Sequence, residues 1–415
     1  MAAPLSDIAR VFGKIGILSF GGPAAQIAVM HRVLVDERGW LTEKQYLNAL
    51  SFCMLLPGPE ATQLATYAGW RLQGVRGGLL AGLLFVLPGA LVMLGLASAY
   101  AAFGQVPLVE ALFLGIKATV IVVVIEALLR VAKRALKTPD RWVLAGLSFL
   151  GIFAFHLPFP LIIVLAAAYG ALTGGGEAET APPRAEVSTL RTILIWGTVW
   201  LAPIALVWAL GQERLVEVGL FFAKLAVVTF GGAYAVLAYM AQEVVADRGW
   251  LTATQMLDGL GLAETTPGPL ILVTEFVGYQ AGYDAGGPAL AVAAAALTLW
   301  VTFAPCFLWI FAGAPYIEWI ATRPRLTGAL SAITAAVVGV ILNLSLWFAT
   351  HVFFGTVTDT AIGPMTLPVP DPGSLDPRVL ALSAVAAFLI FRLRRSLPVT
   401  LGLMALAGVA VSAIG

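Results

Sequence analysis

Apolar residues run through this chain in blocks long enough to cross hydrocarbon, at about 20 residues per helical crossing. Clear blocks cover 79–102, 108–129, 190–210, 288–313, 326–350 and 396–414, and shorter ones cover 141–155, 157–173 and 378–391. Each predicts a helix, because a helix satisfies its backbone groups within its own segment in lipid. Two further regions, 8–74 and 215–283, are apolar but cut at fixed places by glycine and proline.

The two broken regions are copies of one another. A shift of 210 places Lys14 on Lys224, Phe20-Gly21-Gly22 on Phe230-Gly231-Gly232, and Ala25 on Ala235. The same shift aligns Arg38-Gly39-Trp40-Leu41-Thr42 with Arg248-Gly249-Trp250-Leu251-Thr252, and Pro57-Gly58-Pro59 with Pro267-Gly268-Pro269. Apolar similarity alone does not align Gly, Pro, Arg, Trp and Thr together. The expected organisation is a first repeat over 1–175, a linker with one extra span over 176–211, and a second repeat over 212–415.

Positive charge orients these blocks. Arg130, Lys133, Arg134, Lys137 and Arg141 crowd one loop, which is assigned to the cytoplasm. Counting outward puts Arg71, Arg76, Arg184, Arg323, Arg325 and the Arg392, Arg394, Arg395 cluster on that side. The loops left outside, 103–107, 156–159, 211–213, 282–287 and 351–377, contain no Lys or Arg. Arg71 therefore lies inside and Asp284, in the matching loop, outside. The halves are inverted, a recurring design of secondary transporters. If the broken regions are pairs of discontinuous crossings there are 13 membrane segments; if they are re-entrant hairpins there are nine full spans. Both readings put the amino terminus in the cytoplasm and the carboxy terminus outside.

The breaks carry the candidate chemistry. Gly21-Gly22-Pro23 and Pro57-Gly58-Pro59 each end one helix and start another, since proline suits a helix's first turn. An isolated break of this kind is equally a packing kink. Four at matching places predict converging helix amino termini, each with about half a positive charge and free N–H donors, which together make an anion site. Lys14 and Lys224 precede the Gly-Gly breaks and would add charge, unless their stems only reach for the interface. Gln63, Thr265 and Thr266, beside Pro57-Gly58-Pro59 and Pro267-Gly268-Pro269, are neutral hydrogen-bonding groups that suit an oxyanion or a helix contact. The predicted binding set is Lys14, Gly21, Gly22, Pro23, Pro57, Gly58, Pro59, Gln63, Lys224, Gly231, Gly232, Thr265, Thr266, Pro267, Gly268 and Pro269. Glu60, Glu264 and Glu275 are proton-coupling candidates, with an ion pair as the alternative role. Arg38 and Arg248 read as interface clasps anchored by tryptophan, and Lys117 and Glu126 as gates or interior pairs.

Composition narrows the class. Hydrophobic side chains make up 60% of the 415 residues, charged ones 11%, and mean hydropathy is +0.92. A soluble domain usually has about a quarter charged residues, so lipid is the expected solvent. Lys+Arg at 24 and Asp+Glu at 23 leave no basic field for nucleic acid. Cys53 and Cys306 are read as core packing, and no cleavable signal is expected. His31, His156 and His351 are too scattered to suggest a site. With no ATP loop, no H-E-x-x-H and no nucleophile elbow, no cofactor, no metal and no enzymatic activity are predicted.

Phe20-Gly21-Gly22-Pro23, Arg38-Gly39-Trp40, Leu56-Pro57-Gly58-Pro59 with Gln63-Leu64-Ala65, and Thr265-Thr266-Pro267-Gly268-Pro269 resemble the chromate ion transporter family in its long, two-domain form. The resemblance spans essentially the whole chain. It implies an all-α polytopic protein of the bacterial inner membrane that exports chromate, with sulfate as a similar anion and possible assembly as a homodimer. A carrier of another small anion, or a passive anion channel, is the alternative. Ala233 replaces Pro23 and Leu270 replaces Glu60 in the second copy, so the halves are expected to contribute unequally.

Overall fold

A computed structural model of the chain describes residues 3–20, 22–175, 189–230, 233–317, 323–363 and 365–414. Gly21, Gly231 and Gly232 of the predicted binding set lie outside the described residues. The helices are α1 (Leu5–Leu18), α2 (Gly22–His31), α3 (Glu43–Cys53), α4 (Glu60–Phe103), α5 (Pro107–Ala135), α6 (Pro139–Phe153), α7 (Phe159–Thr173) and α8 (Thr189–Ala209). They continue as α9 (Glu213–Val228), α10 (Ala233–Gln242), α11 (Ala253–Thr265), α12 (Val273–Gly313), α13 (Pro324–Phe353), α14 (Pro377–Ala387) and α15 (Leu397–Ile414). Glu60–Phe103, Pro107–Ala135, Thr189–Ala209, Leu270–Tyr316 and Pro324–Phe353 are long and apolar enough to cross a bilayer. Large apolar side chains such as Leu91, Leu172 and Trp208 point outward, as a lipid-facing surface requires.

Among the described residues, one element departs from the all-α expectation. The 351–377 loop contains an antiparallel hairpin, β1 (Val357–Ile362) paired with β2 (Met365–Pro370), in register from Val357 opposite Pro370 to Ile362 opposite Met365. Its strands are rich in threonine, valine and isoleucine, residues that fit a pleated surface, in a stretch too polar to extend α13.

The copies share local geometry. Arg38 (φ −104, ψ −23) and Arg248 (φ −104, ψ −22) adopt the same backbone. Trp40 N–H donates to the Leu34 carbonyl and Trp250 N–H to the Val244 carbonyl, both at 2.8 Å. Thr42 with Gln45, and Thr252 with Gln255, exchange the same reciprocal cap bonds at the start of α3 and α11. α4 turns sharply at Gln73-Gly74, and α12 at Gly286-Gly287, with Gly74 at φ 58 and Gly287 at φ 76. Glycine takes this left-handed backbone without a Cβ clash. These kinks no longer keep the shift of 210. A 3₁₀ turn, Leu270–Leu272, precedes α12, whereas α4 starts directly at Glu60. The turn inserts three residues, so Val273 rather than Leu270 stands at the place of Glu60, and Glu275 at that of Thr62.

The chain forms two compact units. The first comprises Met1–Ser98, Gly175–Ala233 and Thr266–Leu326, and draws on both sequence copies. Within it α12 packs on α8 and α9, and the Trp200 and Trp300 indoles donate to the Val301 and Val199 carbonyls at 2.9 and 3.0 Å. α2 and α3 are joined by the Tyr46 hydroxyl, which donates to the Ile27 carbonyl at 2.6 Å. The second unit comprises Ala99–Gly174, Tyr234–Thr265 and Thr327–Gly415. α5 is its axis, with α11, α14 and α15 packed on it and Ala118, Val122, Leu382 and Met404 in its core.

Candidate functional site

The site forms in the first unit, where the breaks of both copies meet. α1 stops at Leu18 and α9 at Val228, each followed by a hydroxyl residue. Ser19 Oγ donates to the Ile15 carbonyl and Thr229 Oγ1 to the Leu225 carbonyl, both at 2.6 Å. The backbone carbonyls of these two residues then cross over. Gly58 N–H donates to the Thr229 carbonyl at 2.9 Å, and Gly268 N–H donates to the Ser19 carbonyl at 2.7 Å. Each Pro-Gly-Pro of one copy is therefore fastened to the first break of the other. Gly58 at φ 106 and Gly268 at φ 90 hold a backbone that side chains rarely adopt.

A small cavity of about 20 Å³ lies at this crossing, lined by Pro23, Gly58, Glu60, Thr229, Ala233 and Pro269 together with their neighbours. Pro23 is in the first turn of α2, Glu60 opens α4, Ala233 is the first described residue of α10, and Pro269 leads into Leu270–Leu272 and α12. The first turns of α2 and α4 and the 3₁₀ turn before α12 thus border one small space within this unit. The first turn of a helix leaves backbone N–H donors that its own turns do not use and carries the positive end of the dipole. The space suffices for about one water molecule. Gln26 also lines it, fully buried, with Nε2 donating to the Gly268 carbonyl at 2.5 Å and Oε1 without a hydrogen-bond partner. Glu60 brings a half-buried carboxyl group to the same place.

The remaining predicted residues distribute around this centre or away from it. Gln63 is buried in the first turn of α4, with Nε2 donating to the Pro57 carbonyl at 2.6 Å. Thr266 and Pro267 continue the second break within the same unit, and Thr266 is buried. Glu275 is 2% exposed in α12, and its Oε2 has no hydrogen-bond partner. Lys14 and Lys224 are exposed and do not line the cavity. Lys14 instead borders a separate hollow of about 110 Å³ with Arg32, Glu37 and Arg38. Arg38 lies over the Trp40 ring at 5.8 Å, and Arg248 over Trp250 at 5.0 Å. Cys53 and Cys306 are both buried and free.

Thr265 and Glu264 belong to the second unit. Thr265 Oγ1 donates to the Leu262 carbonyl at 2.7 Å, and Glu264 Oε1 accepts from the Tyr234 hydroxyl at 2.7 Å. Lys117 and Glu126 do not pair with each other. Glu126 binds Arg130 one turn along α5, and Lys117 Nζ lies 3.3 Å from Asp258 Oδ1. His156 and His351 line one cavity of this unit, of about 530 Å³. No cluster of metal-ligating side chains occurs among the described residues. Gln26, Thr229 and Asp258 were not singled out from sequence. Thr229 matches Ser19 at the shift of 210, so the repeat itself held a signal for it.

The apolar helices and outward-facing hydrophobic surface define a multi-pass membrane protein. The chain belongs to the Chromate transporter family, whose pattern it matches twice, over residues 6–171 and 216–411. It is similar to the chromate transport protein of Pseudomonas aeruginosa, with 36% identity over 80% of this chain and 77% of that one. The probable chromate transport protein of Synechococcus elongatus is 31% identical over 82% of this chain and 83% of its own. The uncharacterized transporter YwrA of Bacillus subtilis is 29% identical over 38% of this chain but 89% of its own length. No solved structure matches the chain significantly.

Proposed function

We propose that the protein is a secondary active carrier that exports chromate, or a similar tetrahedral oxyanion such as sulfate, from the bacterial cytoplasm across the inner membrane. The observation that supports this reading is that the first turns of α2 and α4, from the first copy, border one cavity with the Pro269–Ile271 turn of the second. A desolvated dianion there replaces its hydration with backbone N–H groups from both copies. Lys14 and Lys224, outside the cavity, contribute attraction at longer range. Glu60 is a proton-coupling candidate at the cavity, and Glu264 and Glu275 are candidates elsewhere.

The repeats, 1–175 and 212–415, are taken as inverted copies joined by α8. The exchanged Gly58–Thr229 and Gly268–Ser19 hydrogen bonds support a two-fold relation between them. Val11, Lys14 and Leu18 of α1 share one hollow with Val29, Arg32 and Arg38, so the chain doubles back at its first break. That supports re-entrant hairpins and nine full spans, with the amino terminus inside and the carboxy terminus outside. A cavity of about 20 Å³, with no room for a hydrated anion to pass, favours a carrier over an open channel.

Uptake of labelled chromate and sulfate into proteoliposomes, with and without a pH gradient, tests the proposal. Saturable, gradient-driven accumulation of chromate is expected. Non-saturating currents that reverse at the anion's equilibrium potential would establish a channel instead.

A further inference from the structure

The second unit contains a buried cluster of charge that the anion cavity does not use. Asp258 sits in α11, 3% exposed overall, among residues that are buried from Met256 to Glu264. Lys117 of α5 faces its Oδ1 across 3.3 Å, without a directed hydrogen bond to that atom. The Tyr100 hydroxyl donates to its Oδ2 at 2.7 Å. Glu110 acts on Asp258 from further along α5. α15, which also packs on α11, has no titratable side chain. The other acid of α11, Glu264, faces Tyr234 and, at longer range, Glu126 and Arg130.

A buried ion pair contributes little to stability compared with an apolar replacement, and intramembrane charge is costly to insert. The architecture does not require this one. The first copy builds α3, the counterpart of α11, with Asn48 at the place of Asp258. A neutral side chain therefore stands at the matching position of the first copy. α11 also leads in the chain directly to Thr266-Pro267-Gly268-Pro269, whose glycine is fastened to Ser19.

We propose that Asp258, held between Lys117 and Tyr100, is the proton site through which a pH gradient drives this carrier. The inference rests on the carrier reading above. An entering proton forms an O–H bond at Oδ1, the oxygen that faces the ammonium group. Asp258 becomes neutral, Lys117 keeps its charge, Tyr100 keeps its proton, and the attraction between α5 and α11 is lost. Departure of the proton restores the pair and draws the helices together. The step thus converts proton occupancy into a change in how firmly α11 is held, and α11 is continuous with the second break.

The test uses the full chain in proteoliposomes and two readouts: accumulation of labelled chromate under a pH gradient, and exchange of labelled for unlabelled chromate at equal pH. Asp258→Asn is expected to lose accumulation while exchange continues. Tyr100→Phe is expected to retain accumulation with a displaced pH midpoint, which a purely structural hydrogen bond would not move. The double variant Lys117→Met/Asp258→Asn removes both charges together. It covers the case in which the single change Asp258→Asn strands the lysine and unfolds the protein, and it too is expected to exchange without accumulating. Parent-like accumulation by Asp258→Asn or by the double variant overturns the proposal, as does an unchanged pH profile in Tyr100→Phe. If the parent itself exchanges no chromate, the carrier reading has failed rather than the assignment of its proton site.

Discussion

Replacing Gly89 by alanine adds a single methyl group at the back of the second break. Gly89 is buried in α4, and a Cβ built there would lie 2.2 Å from the Pro267 carbonyl oxygen and 2.7 Å from Leu272 Cδ1. Ordinary Cβ contacts begin near 3.4 Å, so either α4 or the Pro267-Gly268-Pro269 segment must retreat by more than an ångström. Overpacking of this kind costs about 1–3 kcal/mol. The moving group would be backbone next to the residue whose N–H is bound to Ser19, so the effect should reach the cavity. Gly95, on the same helix, has nothing within 4 Å of its built Cβ. Its change to alanine removes a flexible residue from a helix and should stabilise by about 0.5–1 kcal/mol. Thermal unfolding in detergent should therefore move in opposite directions for the two variants, and initial chromate uptake in proteoliposomes should fall in Gly89→Ala alone. We expect uptake by Gly89→Ala to fall at least about tenfold, equivalent to about 1.4 kcal/mol. Equal stability and equal uptake in Gly89→Ala and Gly95→Ala would refute the close approach.

Three further outcomes follow from the geometry. Gly58→Ala and Gly268→Ala each force a side chain onto a positive φ, with built Cβ atoms 3.1 Å from Gln63 Nε2 and Leu272 Cδ1 respectively; each should cost about 1–3 kcal/mol and depress chromate transport, and parent-like rates from either would count against the exchanged-bond site. Lys14→Gln and Lys224→Gln should raise the KM for a dianion more in dilute buffer than at high salt, because long-range attraction is screened; an unchanged KM in dilute buffer would remove the lysines from the mechanism. At the start of α14, hydrogen bonds from Arg378 hold the Asp376 carboxyl below its ordinary value. Its folded value is thus lower than its unfolded one, so the contribution is present above about pH 4 and disappears as pH falls through the lowered value. Asp376→Asn should flatten that acid-side loss, a change of about 0.5 kcal/mol at an exposed pair, read as protease sensitivity of the 357–370 hairpin between about pH 5 and pH 3.

The breaks were legible because glycine and proline mark a backbone event wherever they interrupt an apolar helix. Their constant spacing of 210 then matched residues that packing alone would not preserve. The three-residue insertion after Pro269 was harder to read, since Leu270-Ile271-Leu272 is as apolar as the helix it precedes. One sign of it was available: Arg71 and Asp284 occupy matching loops 213 apart, not 210. Gln26 escaped notice because one amide in an apolar helix has no period, and only the approach of Gly268 explains it. Asp258 was invisible for a related reason. Its partner Lys117 is distant in the chain, and no local pattern announces a pairing made by α5 and α11. The hairpin at 357–370 lies in a loop whose alternation is short and interrupted by prolines, so hydropathy found only the absence of a helix.

The exchanged hydrogen bonds also limit how the proposed carrier can work. A tetrahedral oxyanion is larger than a water molecule, and the cavity of about 20 Å³ has room for little more than one. Entry of the anion must therefore separate some of the elements that line it. Those elements are tied by two bonds of similar length, Gly58 to Thr229 and Gly268 to Ser19. Breaking both would expose Ser19 and Thr229 carbonyls and two glycine N–H groups together, each costing about 1–3 kcal/mol if buried and unmet. Breaking one leaves the other as a fixed point and frees one N–H for the anion. In the inverted arrangement proposed above, release of one bond and release of the other are equivalent motions of opposite copies that face opposite sides of the membrane. Alternating access then needs no additional hinge: the same substitution at Gly58 and at Gly268 should impair opposite steps of transport, one slowing anion entry from the inner face and the other from the outer face.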